Sequence, residues 1–135
     1  MSLKEELNDR VDQFVKSGWG DVPTGRVVPT PETLTFGNTG IFVDACVLYA
    51  DIHKSTAMVQ EVSKERAAEY YKALLHCAAK LIKANDGTIV AYDGDRVMAI
   101  YMGDKKADFA IKTAFNLYWV VHNIINPKFN SFYSK

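Results

Sequence analysis

Thr88-Ile89-Val90-Ala91-Tyr92-Asp93-Gly94-Asp95-Arg96-Val97-Met98-Ala99-Ile100-Tyr101 is the stretch that decides the fold. Two β-prone runs, 88–92 and 96–101, flank Asp93-Gly94-Asp95, and an Asp-Gly pair between such runs is a strong short-range hairpin signal. The two runs are therefore expected to be antiparallel neighbours. Upstream, Ala45-Cys46-Val47-Leu48-Tyr49-Ala50 is apolar at both alternating sets of positions, the pattern of a strand covered on two faces in the middle of a sheet, and Asp51 ends it. Between these strands the spacing predicts a helix over roughly 60–84, with Tyr71, Leu74, Leu75, Ala78, Leu81 and Ile82 on one face and Asn85-Asp86-Gly87 as its stop. A second helix is expected over roughly 105–126, with Ala107, Ala110, Ile111, Ala114, Tyr118, Val121 and Ile125 at core spacing and Pro127 ending it.

The order β-α-β-β-α predicts an α+β fold, an α/β sandwich of the ferredoxin-like βαββα(β) type without its last strand. In the complete unit the first strand lies between the third and fourth. Without the fourth, strand 45–50 is expected to be an exposed apolar edge, so the chain should be a fragment of a longer protein or have that edge covered by something else. Ahead of this core, Leu3, Leu7, Val11, Phe14 and Val15 recur at helical spacing and predict an amphipathic helix over 3–16 that ends near Gly18. Residues 18–38 hold Pro23, Pro29 and Pro31 and read as an irregular connector. The expected division is thus an N-terminal helix and connector over 1–42 and an incomplete α+β domain over 43–135, which the resemblance given below makes a partial catalytic domain.

Composition narrows the function. With 135 residues the chain has the size of one modest domain, and its 48% hydrophobic and 24% charged content fits a soluble globular protein. Sixteen basic residues balance sixteen acidic ones, so no global positive field argues for a nucleic-acid polymer or an anionic membrane as partner. The apolar runs are short for a bilayer span and Met1-Ser2-Leu3-Lys4-Glu5-Glu6 is charged where a signal peptide would be apolar, so a cytoplasmic location is expected. Cys46 and Cys77 have no Cys or His neighbour at metal-ligand spacing and read as reduced core residues.

The chemistry concentrates in two short acidic segments, each at the end of an apolar run: Asp51 in Tyr49-Ala50-Asp51-Ile52, and Asp95 in the hairpin. In the predicted topology the first and third strands are antiparallel neighbours, so Asp51 and Asp95 come to one edge of the sheet. Two such carboxylates repel each other unless a cation lies between them, which predicts a divalent-metal site and phosphate chemistry. Alternation places Tyr49 on the face of Asp51, with Leu48 and Ala50 on the other. The turn after Asp51 offers Lys54, Ser55 and Thr56 to a phosphate, although Ser55 and Thr56 equally suit capping of the next helix. An aromatic at Tyr49 suits the core as well as it suits a binding pocket. His53 is expected to be a solvent-facing loop histidine rather than a third ligand, and His76 and His122 to be structural residues on helices. Arg96 is expected on the strand face opposite Asp95, in a structural or interface role. Tyr118-Trp119 is expected in the core. No Walker-type glycine loop is present.

These segments resemble the class III nucleotidyl cyclase domain. Its first strand ends like Leu48-Tyr49-Ala50-Asp51-Ile52 followed by Ser55-Thr56, and its hairpin carries Gly94-Asp95, followed here by Val97-Met98-Ala99; the match covers about residues 43–125. The resemblance implies that Asp51 and Asp95, with the Ile52 carbonyl, hold two divalent cations, Mn²⁺ or Mg²⁺. It also implies that a 3′-hydroxyl attacks the α-phosphate of a nucleoside triphosphate. It further implies a homodimer with active sites at the interface, in which a transition-state Asn and Arg come from later segments of the partner. Ala91 stands where adenylyl cyclases carry a base-reading lysine, Tyr49 replaces a common Phe, and Arg96 replaces a small residue. The longer strings Val47 to Asp51 and Tyr92 to Ala99, with Met1 to Glu5, look like the pyrimidine cyclases of bacterial Pycsar antiphage defence, which implies cyclic UMP or cyclic CMP as an alarm signal and a base-selecting role for Tyr49 and Ala91. Rival readings are a catalytically silent cyclase-like module that binds nucleotide or dimerises, a purine cyclase, and a palm-type polymerase or diguanylate cyclase, whose Gly-Gly-Asp/Glu-Glu-Phe hairpin is absent.

Overall fold

A computed structural model describes residues 1–134 in two compact units, Met1–Asp44 and a second beginning at Ala45. Lys135, the last residue of the expected catalytic segment, lies outside the described residues.

In the first unit, α1 (Leu3–Lys16) begins with a reciprocal cap: the Ser2 N–H donates to Glu5 Oε2 at 2.6 Å, and the Glu5 N–H donates to Ser2 Oγ at 3.3 Å. The helix stops at Ser17, whose N–H donates to the Gln13 carbonyl. Asn38 Nδ2 reaches back to the carbonyls of Phe14 and Ser17, giving partners to groups that a helix end leaves open. The apolar residues of α1, Leu3, Leu7, Val11, Phe14 and Val15, are all exposed, and no residue of the helix is buried. Two short strands, β1 (Thr24–Gly25) and β2 (Phe42–Val43), pair in parallel.

The second unit runs β3 (Ala45–Asp51), α2 (Ser55–Glu61), α3 (Lys64–Ala84), β4 (Thr88–Asp93), β5 (Arg96–Met102), α4 (Lys106–Val120), a π turn (Val121–Ile125) and α5 (Asn126–Tyr133). The sheet order is β3-β5-β4 with both pairings antiparallel, as expected for the ferredoxin-like core without a fourth strand. β5 is central, so its inward side chains Val97, Ala99 and Tyr101 are almost completely buried against Leu74, Ala78 and Ile82 of α3 and Ala110 and Leu117 of α4. Each large side chain removed from water there contributes roughly 1.5–3 kcal/mol. The Tyr101 hydroxyl donates to Thr113 Oγ1 at 2.8 Å, and Thr113 donates to the Phe109 carbonyl at 2.8 Å, so the polar tip is satisfied inside the core.

Three expectations change. The helix expected from 60 is two helices, because the Val62 N–H closes α2 on Met58 and Ser63 starts α3 by accepting from the Arg66 N–H at 3.2 Å. Pro127 does not end the second helix. A π turn lets the Asn126 N–H reach back to Val121, and Pro127 then falls in the first turn of α5, where its missing N–H leaves no bond unmade. β3 lies at the edge of the sheet with β5 on one side only, as expected for the unit without its fourth strand, although its two apolar sets of positions read as those of a central strand. Tyr118 and Trp119 are not core, being 65% and 57% exposed; Ile111 is also exposed, and the buried face of α4 is Ala110, Thr113 and Leu117 instead. The predicted stripe of α4 is apolar, but half of it lies over the open edge of β3, where Ala114 and Tyr118 line a groove with Leu48 and Ala50.

Candidate active site

Register on the outer face of the sheet assembles the site. Asp51 at the end of β3 lies opposite Arg96 at the start of β5, and Arg96 lies opposite Asp93 at the end of β4. The next row that points to the same side is Tyr49, Met98 and Ala91. This second row depends on a β-bulge. Pairing runs Thr88 to Ile100 and Ile89 to Ala99, but then Ala91 to Met98, so Val90 is left over. The one-residue shift brings Asp93 opposite Arg96 and closes the hairpin with a two-residue turn, Gly94-Asp95. Gly94 has φ of 61° and Asp95 has no positive φ, the pattern of a type II′ turn with glycine at its first central position.

Asp95 therefore projects from the turn beside the end of β3. Its carboxyl is held below the ordinary carboxylate value, mainly by a hydrogen bond from the Ser55 side chain. Desolvation opposes this as the next largest effect, and smaller contributions in the lowering direction come from the backbone N–H of Asp95 itself, from Asp51 and from the positive charge of Arg96. Asp51, Ser55, Asp95 and Arg96 thus meet at one corner. Arg96 Nε is 3.8 Å from Asp51 Oδ2 and 4.0 Å from Asp93 Oδ2. Arg96 faces the acidic corner, contrary to the expectation from strand alternation. Asp95 belongs to a turn, so the alternation rule does not relate the two residues.

The other candidate residues fall around this corner with different degrees of engagement. Tyr49 is 59% exposed, so it is not a core aromatic; it stands one row from Asp51, beside Met98. Ile52 turns its side chain into the core just past Asp51 and pins the end of β3. Lys54 is exposed and left-handed, with φ of 56°, and immediately precedes α2; Thr56 is exposed. Lys54, not Ser55, holds the cap position of α2 and makes no side-chain capping bond, while the Ser55 side chain bonds to Asp95. His53 is exposed in the turn, and among the described residues no group of three or more His, Cys, Asp and Glu converges on one point. His76 and His122 are exposed, and His122 Nδ1 contacts the Tyr118 carbonyl at 2.9 Å. Cys46 and Cys77 are free and half-buried. Met98 and the bulge at Val90 are the site features that sequence reading missed; a bulge of this kind has no composition signal when the extra residue is a valine.

Two accessible carboxylates at one corner are hard oxygen donors. They fit an ion such as Mg²⁺ or Mn²⁺, which takes one or two carboxylates and completes its shell with water and phosphate oxygens rather than with an all-protein cage. No helix among the described residues is long and apolar enough to cross a membrane.

No family model matches the chain. Among curated relatives, it is 42% identical over 135 residues to a uridylate cyclase of Xanthomonas perforans, with 99% of this chain and 58% of the relative covered. It is 36% identical over 133 residues to a uridylate cyclase of Rhodovulum sp. (strain MB263), covering 98% of this chain and 55% of the relative. A cytidylate cyclase of Staphylococcus aureus matches at 27% identity over 89 residues, 66% of this chain and 21% of the relative. The chain spans about half the length of the uridylate cyclases it matches. Among solved structures, the guanylate cyclase domain of RhGC from Catenaria anguillulae in complex with GTP aligns with a TM-score of 0.54 at 17% identity, covering 59% of this chain and 46% of that one. A bacterial light-regulated adenylyl cyclase aligns with a TM-score of 0.53 at 18% identity, covering 59% and 43%. The chain is therefore a homologue, over nearly its whole length, of the curated uridylate cyclases, and its core has the α+β fold of class III nucleotide cyclase domains.

Proposed function

We propose that this chain is the metal- and nucleotide-holding part of a pyrimidine nucleotide cyclase, which converts UTP, with CTP as the alternative, to the 3′,5′-cyclic monophosphate and pyrophosphate. The observation that carries this reading is the convergence of Asp51 and Asp95 at one corner, with Tyr49 one row away on the same face. Asp51 and Asp95 hold two divalent cations, with the Ile52 carbonyl as a further donor. When bound, those cations lower the pKa of the attacking 3′-hydroxyl and neutralise the leaving pyrophosphate. The ionised state of Asp95, favoured by the Ser55 hydroxyl, keeps this ligand charged without a proton to lose. Lys54, Ser55 and Thr56 lie on the triphosphate side of the corner, and Ser55 bridges the two functions. Tyr49, Met98 and Ala91 form a row that a base can lie across, and the exposed Tyr49 ring narrows it against purines.

The relatives are about twice as long, and the resemblance to class III cyclases puts a transition-state Asn and Arg on later segments of a partner subunit. The working enzyme is accordingly proposed as a cytoplasmic homodimer that supplies a signal in antiphage defence. The open edge of β3 favours a second reading for these 135 residues taken alone, a binding half without turnover.

Incubation of the longest soluble form with ATP, GTP, CTP and UTP plus Mn²⁺, with detection of cyclic product and pyrophosphate, tests the proposal. Cyclic UMP or cyclic CMP that falls by on the order of 10²–10³-fold in Asp51→Ala supports it, this being the scale of losing one preorganised electrostatic contact at the reacting phosphate. Product from a purine triphosphate alone would overturn the pyrimidine assignment. Retained metal-dependent nucleotide binding without product would support the binding-half reading for this segment.

A further inference from the structure

Arg96, with Asp93 beside it, is left without a task by the cyclase reading of the acidic corner. It lies midway in the row Asp51-Arg96-Asp93, and its Nε is 3.8 Å from one carboxylate and 4.0 Å from the other. Well-formed charge-assisted bonds are about 2.7–2.9 Å long and often bidentate. This guanidinium is held loosely between two anions, and its side chain is about half exposed, as is that of Asp51. Exposed pairs of this length are weak and exchange readily.

We propose that Arg96 is the resident counter-cation of the acidic corner, and that a divalent ion entering at Asp51 displaces it. The inference rests on the reading of Asp51 and Asp95 as metal ligands. Asp51 at the end of β3 and Asp93 at the end of β4 flank Arg96 at the start of β5, and Asp95 lies in the turn beside it, so the carboxylates of this corner have the guanidinium as their neighbouring positive charge when no metal is bound. A lysine could leave by losing its proton, but an arginine stays charged at every physiological pH and must move. A dication on Asp51 would stand a few ångströms from the guanidinium, so the two compete for one carboxylate. The bulge at Val90 makes the device possible, because it brings Asp93 opposite Arg96 and leaves the displaced guanidinium a second anion on which to rest. Arg96 thus raises the metal concentration at which the corner fills, and it ties metal entry to a side-chain movement on the face that also carries Tyr49.

The test measures Mn²⁺ alone binding to the 135-residue chain, from the electron paramagnetic resonance signal of free Mn²⁺, for the native protein and for Arg96→Gln. A second measurement follows the Arg96 Nε–H resonance of the native protein as Mg²⁺ is added, which needs no variant to fold. Removing one positive charge near a water-exposed dication site should tighten Mn²⁺ binding by about 3- to 10-fold after salt screening. Arg96→Lys should tighten it less than Arg96→Gln, and the Arg96 resonance should shift in step with Mg²⁺ occupancy. Equal Mn²⁺ affinity in native and Arg96→Gln proteins, or an Arg96 resonance that stays in place while Mg²⁺ binds, overturns the displacement while leaving the metal site standing. Binding in all forms no stronger than in an Asp51→Ala, Asp95→Ala double variant overturns the metal reading itself, and the displacement with it.

Discussion

At the level of single residues, hydroxyl groups set the behaviour of two positions. The depressed Asp95 carboxyl depends first on Ser55, so Ser55→Ala should raise the Asp95 pKa toward the ordinary carboxylate value, seen by carbon NMR of the side-chain carboxyl across a pH titration. The sign for stability follows. A carboxyl with a folded-state pKa below its unfolded one favours the fold above the unfolded value, and this contribution disappears as pH falls through the folded value. An unchanged Asp95 titration in Ser55→Ala would mean that its own backbone N–H, Asp51 and Arg96 set it without the hydroxyl. In the core, Tyr101→Phe removes the bond to Thr113 while Thr113 keeps its own to Phe109. The expected loss is about 1 kcal/mol, read as a lower urea midpoint at constant slope.

The elements carry their own signatures at their ends. The stop of α3 is a Schellman motif: Asp86, with φ of 60°, donates its N–H to the Lys83 carbonyl, and Gly87 donates its N–H to the Ile82 carbonyl at 2.9 Å. The glycine is therefore not at the left-handed position. It lies where a Cβ would come within 2.7 Å of both Ile82 Cγ2 and the Tyr101 ring. Two adjacent substitutions should consequently act in opposite directions. Asp86→Gly should stabilise the chain by about 0.5 kcal/mol by relieving a left-handed non-glycine residue. Gly87→Ala should destabilise it by about 1–3 kcal/mol through overpacking against a buried ring. Thermal unfolding of both variants checks this, and a stabilising Gly87→Ala would contradict the packing described. At the other end of α3, Ser63→Ala should cost about 1 kcal/mol by removing the acceptor of the Arg66 N–H.

For the whole molecule the decisive feature is the unpaired edge of β3. Its outer face presents Val47 and Tyr49, and the groove behind it is lined by Leu48, Ala50, Ala114 and Leu117. Unpaired backbone groups beside apolar side chains favour strand addition. The 135-residue chain should show concentration-dependent association in sedimentation velocity, and Val47→Lys, which puts a charge on that edge, should weaken it several-fold. Association that is indifferent to Val47→Lys would place the contact elsewhere, with the exposed α4 face of Ile111, Phe115 and Trp119 as the next surface to vary.

The amino-acid sequence by itself determined the order of the three core strands and the two long helices, the hairpin at Asp93-Gly94-Asp95, the antiparallel neighbourhood of 45–51 and 96–102, and hence the meeting of Asp51 with Asp95. Each of these follows from local pattern and chain topology, which periodicity and turn chemistry report directly. Only the tertiary structure decided where the face of α4 is covered, that a π turn carries the helix through Pro127, that Val90 is bulged, and that Arg96 lies between Asp51 and Asp93. These depend on what packs or pairs against a residue from far along the chain. An apolar stripe looks the same in sequence whether or not a strand lies beneath it, and one extra residue in a strand changes every cross-strand partner without changing composition.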